Sequence, residues 1–183
     1  MVAMLSANPV FSYDSWHEQR FGNLPAQVLD MSCGPAALAG LISNYSGIAI
    51  TEAEILLMLS GAVDKNKHKQ TLENGFSLLD LKKVMFPLGL TLNASRISEE
   101  QLIKFDRPAI LQFKTNFGHH FVLWNGYYKG WHWLSDPARG QMWLSSDAFS
   151  EEWSGVAGWV FHSDGGLPAL VDKEKLARGF FLR

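Results

Sequence analysis

The sequence predicts an α+β domain with its helices first and an antiparallel sheet second. Segments with helix start and stop signals dominate the chain up to about residue 105. From Pro108 onward, short runs rich in Val, Leu, Phe and Trp recur, punctuated by Gly, Asn, Asp and Pro, as strands and their turns require. No internal repeat or low-complexity linker divides the 183 residues, a length that suits one domain with a proper core.

Residues 1–26 are mixed in character and form an N-terminal extension; the domain itself spans 27–162, and 163–183 are a tail. The first helix is expected from Cys33 to Ser46, with Leu38, Leu41, Ile42 and Tyr45 on one face and Gly47 as its stop. Thr51-Glu-Ala-Glu54 is a capping-box pattern that opens a second helix through about Ser60. Asp64 to Gln70 is charged and predicts an exposed loop. Ser77 caps a third helix over Leu78–Met85, which Pro87 and Gly89 end; a strand over Leu90–Ala94 and a small helix from Ser98 follow. Strands are then expected at 108–113, 120–124, 131–134, 141–144 and 158–161, with Asn125-Gly126 as a candidate turn.

With 47% apolar and 19% charged residues and a net charge of −2, the chain has the composition of a soluble globular protein and no electrostatic footprint for nucleic acid or an anionic membrane. The longest uncharged stretch, Met31 to Thr51, is interrupted by Gly34, Pro35, Gly40 and Gly47 and does not read as a transmembrane segment. Most of the seven Trp and twelve Phe belong to the core and sheet faces, with a subset available to wall a cleft.

Cys33 is the single cysteine, so no intrachain disulfide explains it. It precedes Gly34-Pro35 and an apolar helical run, which puts it at a helix N-terminus, where N–H groups and the dipole stabilise a thiolate. A nucleophile and a small core residue both fit that position. A thiol nucleophile needs a base, and the base an orienting group. His119 and His120 stand at a strand start, and only one of them can point at Cys33. A hairpin pairing residues 120–128 with 131–136 brings Asp136 to the His120 end. Gln27 lies on the loop leading to Cys33, and with the Cys33 N–H it offers an oxyanion hole. A zinc site from Cys33, His119 and His132 lacks a closely spaced second ligand pair.

Gln27, Cys33 six residues later, His120-Phe-Val and Asp136-Pro together resemble the C39 peptidase pattern over about residues 20–162. The resemblance implies a papain-like fold and a cysteine peptidase that needs no metal or organic cofactor. It implies Cys33 as nucleophile, His120 as general base, Asp136 as its orienter and Gln27 as oxyanion-hole donor. Ser32 stands where transporter-borne members usually carry Asp. The Asp-x-Ser-Cys-Gly-x-Ala-Ala-Leu version, with Gly75-Phe-Ser-Leu-Leu-Asp-Leu-Lys82, is similar instead to stand-alone members, including those encoded with functional-amyloid systems. That similarity implies a peptide or protein substrate, a secretion-system partner, and a periplasmic or secreted location with a signal peptide removed; a cytoplasmic location is the alternative. A peptide-binding or chaperone-like module on the same fold, and an amidase or acyl-transferase using the same residues, are the rival functions. Gly165-Gly166 is read as an exit to the tail.

Overall fold

The computed structural model describes residues 31–62, 68–116 and 120–166. Helix α1 (Cys33–Tyr45) consists almost wholly of small and apolar residues and is buried on nearly every side, as a helix apolar all round must be. Helices α2 (Glu52–Ala62), α3 (His68–Asn74) and α4 (Leu78–Lys83) follow, then a 3₁₀ turn (Phe86–Leu88). Strand β1 (Leu90–Arg96) and helix α5 (Glu99–Phe105) lead into β2 (Ala109–Phe113), β3 (His120–Tyr128), β4 (Trp131–Asp136) and β5 (Gly140–Ser145). Helix α6 (Ser146–Glu152) and strand β6 (Trp153–His162) complete the order.

The six strands form one antiparallel sheet in the order β1-β6-β2-β3-β4-β5. Strand alternation divides the core in two. Ile110, Phe121 and Leu123 join Leu38, Leu41 and Ile42 of α1, Ile55 and Leu59 of α2 and Leu81 of α4 on one side. Leu111, Phe113, Val122 and Trp124 join Leu102 of α5 and Phe149 of α6 on the other. The expected α+β architecture is therefore present, with helices on both faces of the sheet.

The local signals act as read. Glu54 Oε2 accepts from the Thr51 N–H at 2.8 Å while Thr51 Oγ1 accepts from the Glu54 N–H at 3.2 Å, closing the capping box. Ser77 and Asp80 make a second box at α4, and Ser98 with Gln101 a third at α5. Three expectations need correction. Part of the charged segment read as loop is helical from His68. Helix α6 stands where no helix was expected, opened by the Ser145 hydroxyl accepting from the Ala148 N–H at 3.3 Å. Asn125-Gly126 is not a turn: Leu123 and Trp124 pair with Ser135 and Leu134, Gly126 pairs with Trp133, and Asn125 is the extra residue of a β-bulge inside β3. The hairpin turn is Lys129-Gly130, as expected, with both residues at positive φ. Gly165-Gly166 lies in a hydrogen-bonded turn in which Asp164 Oδ1 accepts from the Gly166 N–H at 2.9 Å.

Behind the sheet, fully buried His132 stacks on Phe149 with ring centroids 3.7 Å apart. Its Nδ1 accepts from the Trp124 indole N–H at 3.0 Å, and its Nε2 faces Glu99 Oε1 at 2.9 Å. An acceptor Nδ1 fixes the neutral tautomer with the proton on Nε2. Burial holds the ring below the ordinary imidazole value of 6.5, outweighing the opposing pull of Glu99. The unfolded chain thus takes up this proton first as pH falls, so the stabilisation is complete above 6.5 and is lost below it. The share of this residue in the stability measured by urea unfolding should therefore fall between about pH 7 and about pH 5, by at most about 1.4 kcal/mol per pH unit, against the opposite contribution of any group whose pKa folding raises. In His132→Phe, the protein should be weaker at neutral pH but flatter across that interval; an unchanged slope would exclude His132 as the source.

Candidate active site

Cys33 opens α1, in the turn where backbone N–H groups point out of the helix end. The first intrahelical bond runs from the Ala36 N–H to the Ser32 carbonyl at 2.9 Å. Cys33 is 3% exposed, so it is enclosed by the fold, and it takes part in no disulfide. Its neighbour Gly34 lets α1 approach the sheet closely: a Cβ there would stand 3.2 Å from Phe121 Cδ2 and 3.3 Å from Leu81 Cδ1. Phe121 follows His120, so one tight contact positions the strand that carries the histidine against the helix that carries the thiol.

His120 is the first residue of β3, and its side chain is 25% exposed. Its Nε2 lies 3.0 Å from Asp136 Oδ2, and the ring is also hydrogen-bonded to the Cys33 side chain. With Nε2 committed to the carboxylate, Nδ1 is the nitrogen left for the thiol. Phe113, which pairs with His120 across β2 and β3, packs against the imidazole edge-to-face at 6.5 Å.

Asp136 ends β4 and its side chain is fully buried. The Asp136-Pro137-Ala138-Arg139 turn folds back on this carboxylate. Oδ1 accepts from the backbone N–H groups of Ala138 at 2.8 Å and Arg139 at 3.1 Å. Oδ2 accepts from Arg139 Nε at 2.6 Å as well as facing His120. Arg139 reaches on to Glu152 Oε2 at 2.8 Å, at the end of α6.

The electrostatics follow from these contacts. Burial alone would discourage charge on His120, but hydrogen bonds and charge from Asp136 and Cys33 prevail and raise its pKa to about 9. Burial likewise opposes charge on Asp136, and the His120 and Arg139 contacts with the Ala138 N–H outweigh it, lowering its pKa to about 2. The two shifts describe one interaction from its two ends, an imidazolium facing a carboxylate.

Of the residues singled out from sequence, Cys33, His120 and Asp136 are brought together in one contiguous chain of contacts. Gln27 and His119 lie outside the described residues. Among the described residues no group of three His, Cys, Asp or Glu side chains has the arrangement of a metal site, and His132 belongs to the core. Sequence reasoning missed Arg139 and Glu152. Arg139 at three residues past Asp136 in an Asp-Pro turn is a signal that could have suggested the first; nothing local points to the second.

The Peptidase C39 family profile matches residues 23–164. The chain is 31% identical over 165 residues to a probable functional amyloid protease FapD of Pseudomonas aeruginosa, covering 88% of this chain and 71% of that protein. It is 29% identical over 143 residues to the protein of the same name from Pseudomonas fluorescens, of which it spans 62% of the length. Among solved structures, the peptidase domain of Streptococcus ComA, a bi-functional ABC transporter, superposes with a TM-score of 0.62 at 20% identity over 75% of this chain and 96% of that one. A double glycine motif protease from an AMS/PCAT transporter, solved with its leader peptide, gives 0.58 at 21% identity over 77% and 96%. Both structures share the papain-like fold. With its profile match and its FapD relatives, the chain belongs to the Peptidase C39 family, and it has the papain-like fold.

Proposed function

We propose that this protein is a cysteine endopeptidase that hydrolyses a specific protein or peptide substrate through Cys33, His120 and Asp136. The observation that carries the reading is the unbroken contact chain from a helix-start thiol through an imidazole to a buried carboxylate. Asp136 receives the Nε2 side of His120, which leaves Nδ1 toward Cys33 and supports a thiolate–imidazolium pair. The Cys33 thiolate attacks the peptide carbonyl carbon, its proton already held on His120 Nδ1. The oxyanion is held by the Cys33 backbone N–H and Gln27. Collapse breaks the C–N bond, with His120 protonating the leaving amine, and water then hydrolyses the thioester with His120 as base. Asp136 supports the imidazolium between these steps.

The names of the FapD relatives support a substrate within a functional-amyloid system. We further propose cleavage during export or processing of a secreted protein, in the periplasm or outside the cell. A secretion-system component is the partner class this implies. Fold and triad define acyl chemistry and leave the substrate to be identified, for which a mixture-based peptide cleavage screen is suited.

Cys33→Ala and His120→Ala should each remove turnover in that screen while thermal unfolding stays cooperative; comparable cleavage by Cys33→Ala would sink the mechanism. Iodoacetamide should label Cys33 at about pH 6 in the wild type and much more slowly in His120→Ala, since an unassisted thiol reacts poorly there. A labelled but non-cleaving wild type would point to a binding module, and transfer products to an acyl-transferase. Gly34→Ala should force α1 and β3 apart by a few tenths of an ångström, because Phe121 and Leu81 are themselves fully buried. Its kcat/KM should drop at least about tenfold, since small misplacements of reacting groups are costly, and the melting temperature should change by only a few degrees.

A further inference from the structure

We propose that Arg139 and Glu152 form a charge clamp behind Asp136 that sets how readily His120 releases its proton. The inference rests on the reading of His120 as the acid–base residue and extends it to two positions outside the triad.

The geometry is specific. Asp136 Oδ2 is shared between His120 Nε2 at 3.0 Å and Arg139 Nε at 2.6 Å, so imidazole and guanidinium compete for one oxygen. Arg139 is held by a second contact, from its terminal nitrogen to Glu152 Oε2 at 2.8 Å, and its guanidinium carbon lies 5.8 Å from the centroid of Phe113, the ring that also packs on His120. Among the described residues, the charged and titratable groups around the pair are Cys33 from α1, Arg139 from the β4–β5 turn, Glu152 from α6 and Lys114 just past β2. Lys114 directs its Nζ to the carbonyl oxygens of Ser150 at 3.0 Å and Glu151 at 2.9 Å, away from the carboxylate. The remaining five groups run in one line, Cys33, His120, Asp136, Arg139, Glu152, and in the ion-pair state their charges alternate in sign along it.

A buried carboxylate with no other partner would hold an imidazolium too tightly for it to serve as an acid at ordinary pH, and a general acid works best when its proton is exchangeable there. Arg139 is always charged and lowers the negative potential at Oδ2; Glu152 returns part of it. The Arg139 side chain is 43% exposed, so its ion pair with Glu152 contributes little to folding, and its effect falls on the proton of His120. Arg139 is thus a positioning residue that acts through Asp136.

The test is an NMR titration of the His120 imidazole in the wild type, Arg139→Gln, Glu152→Gln and Arg139→Lys, with the pH profile of kcat/KM on a cleaved peptide recorded beside it. Removing the cation should move the imidazole titration and the alkaline limb of the profile upward by about one pH unit, and removing the anion should move both downward by about half a unit. Arg139→Lys keeps the charge and should stay close to the wild type. Shifts in the same direction in both Gln variants, or in neither, overturn the clamp, as a residue that merely braced the fold would give. Glu152→Gln alters a partly exposed side chain and keeps the test available if Arg139→Gln folds poorly. The titration needs no substrate. Opposite shifts with equal cleavage by Cys33→Ala would uphold the clamp and reject the peptidase reading, whereas absent shifts with Cys33-dependent cleavage would reject the clamp alone.

Discussion

The carboxylate of Asp136 is the constraint around which the site is built. A charge with no exposed side-chain surface is tolerated only where its oxygens are fully engaged. Four donors meet that need here: two backbone N–H groups from its own turn, an imidazole from β3 and a guanidinium three residues on. Each donor ties down a different piece of chain. The turn fixes the start of β5, the imidazole fixes the start of β3, and Arg139 carries the connection to the end of α6. The residue that orients the histidine is also the one whose burial obliges its surroundings to be ordered.

Helix α1 is anchored to this arrangement at both ends by different means. Near Cys33 the anchor is apolar and depends on the missing side chain of Gly34 against Phe121 and Leu81. At the other end it is polar. The Tyr45 hydroxyl donates to Asn125 Oδ1 at 2.8 Å, Asn125 Nδ2 donates to Ser135 Oγ at 2.7 Å, and Ser135 Oγ donates to Gln141 Oε1 at 2.9 Å. This buried chain crosses from the helix through β3 and β4 to β5, and satisfied networks of this kind select one packing over its neighbours. The bulge at Asn125 supplies the middle link, which gives the β-bulge a physical purpose.

Cys33, His120 and Asp136 were legible in the sequence because each carries a local signature: a helix start, a strand start, and a strand end followed by proline. Their grouping was legible because a single hairpin joins two of them. The misreadings have equally local causes. Asn125-Gly126 is a common turn pair, and only the register with β4 reveals that the strand continues past it. His68–Asn74 and Ser146–Glu152 are seven-residue helices with polar sequences, too short for an apolar period to emerge. The Arg139–Glu152 contact lies beyond sequence reading for a different reason. Its partners are thirteen positions apart across a strand and a helix, and only the return of α6 over the sheet brings them together.

The strand order has a consequence for how the domain forms. Strand β6, the last among the described residues, sits between β1 and β2 and pairs with both. Until it inserts, β1 has no partner and β2 lacks one neighbour. Contacts that span much of the chain make for slow, late closure. A partly folded chain in which β6 has not inserted therefore exposes unpaired edges at β1 and β2.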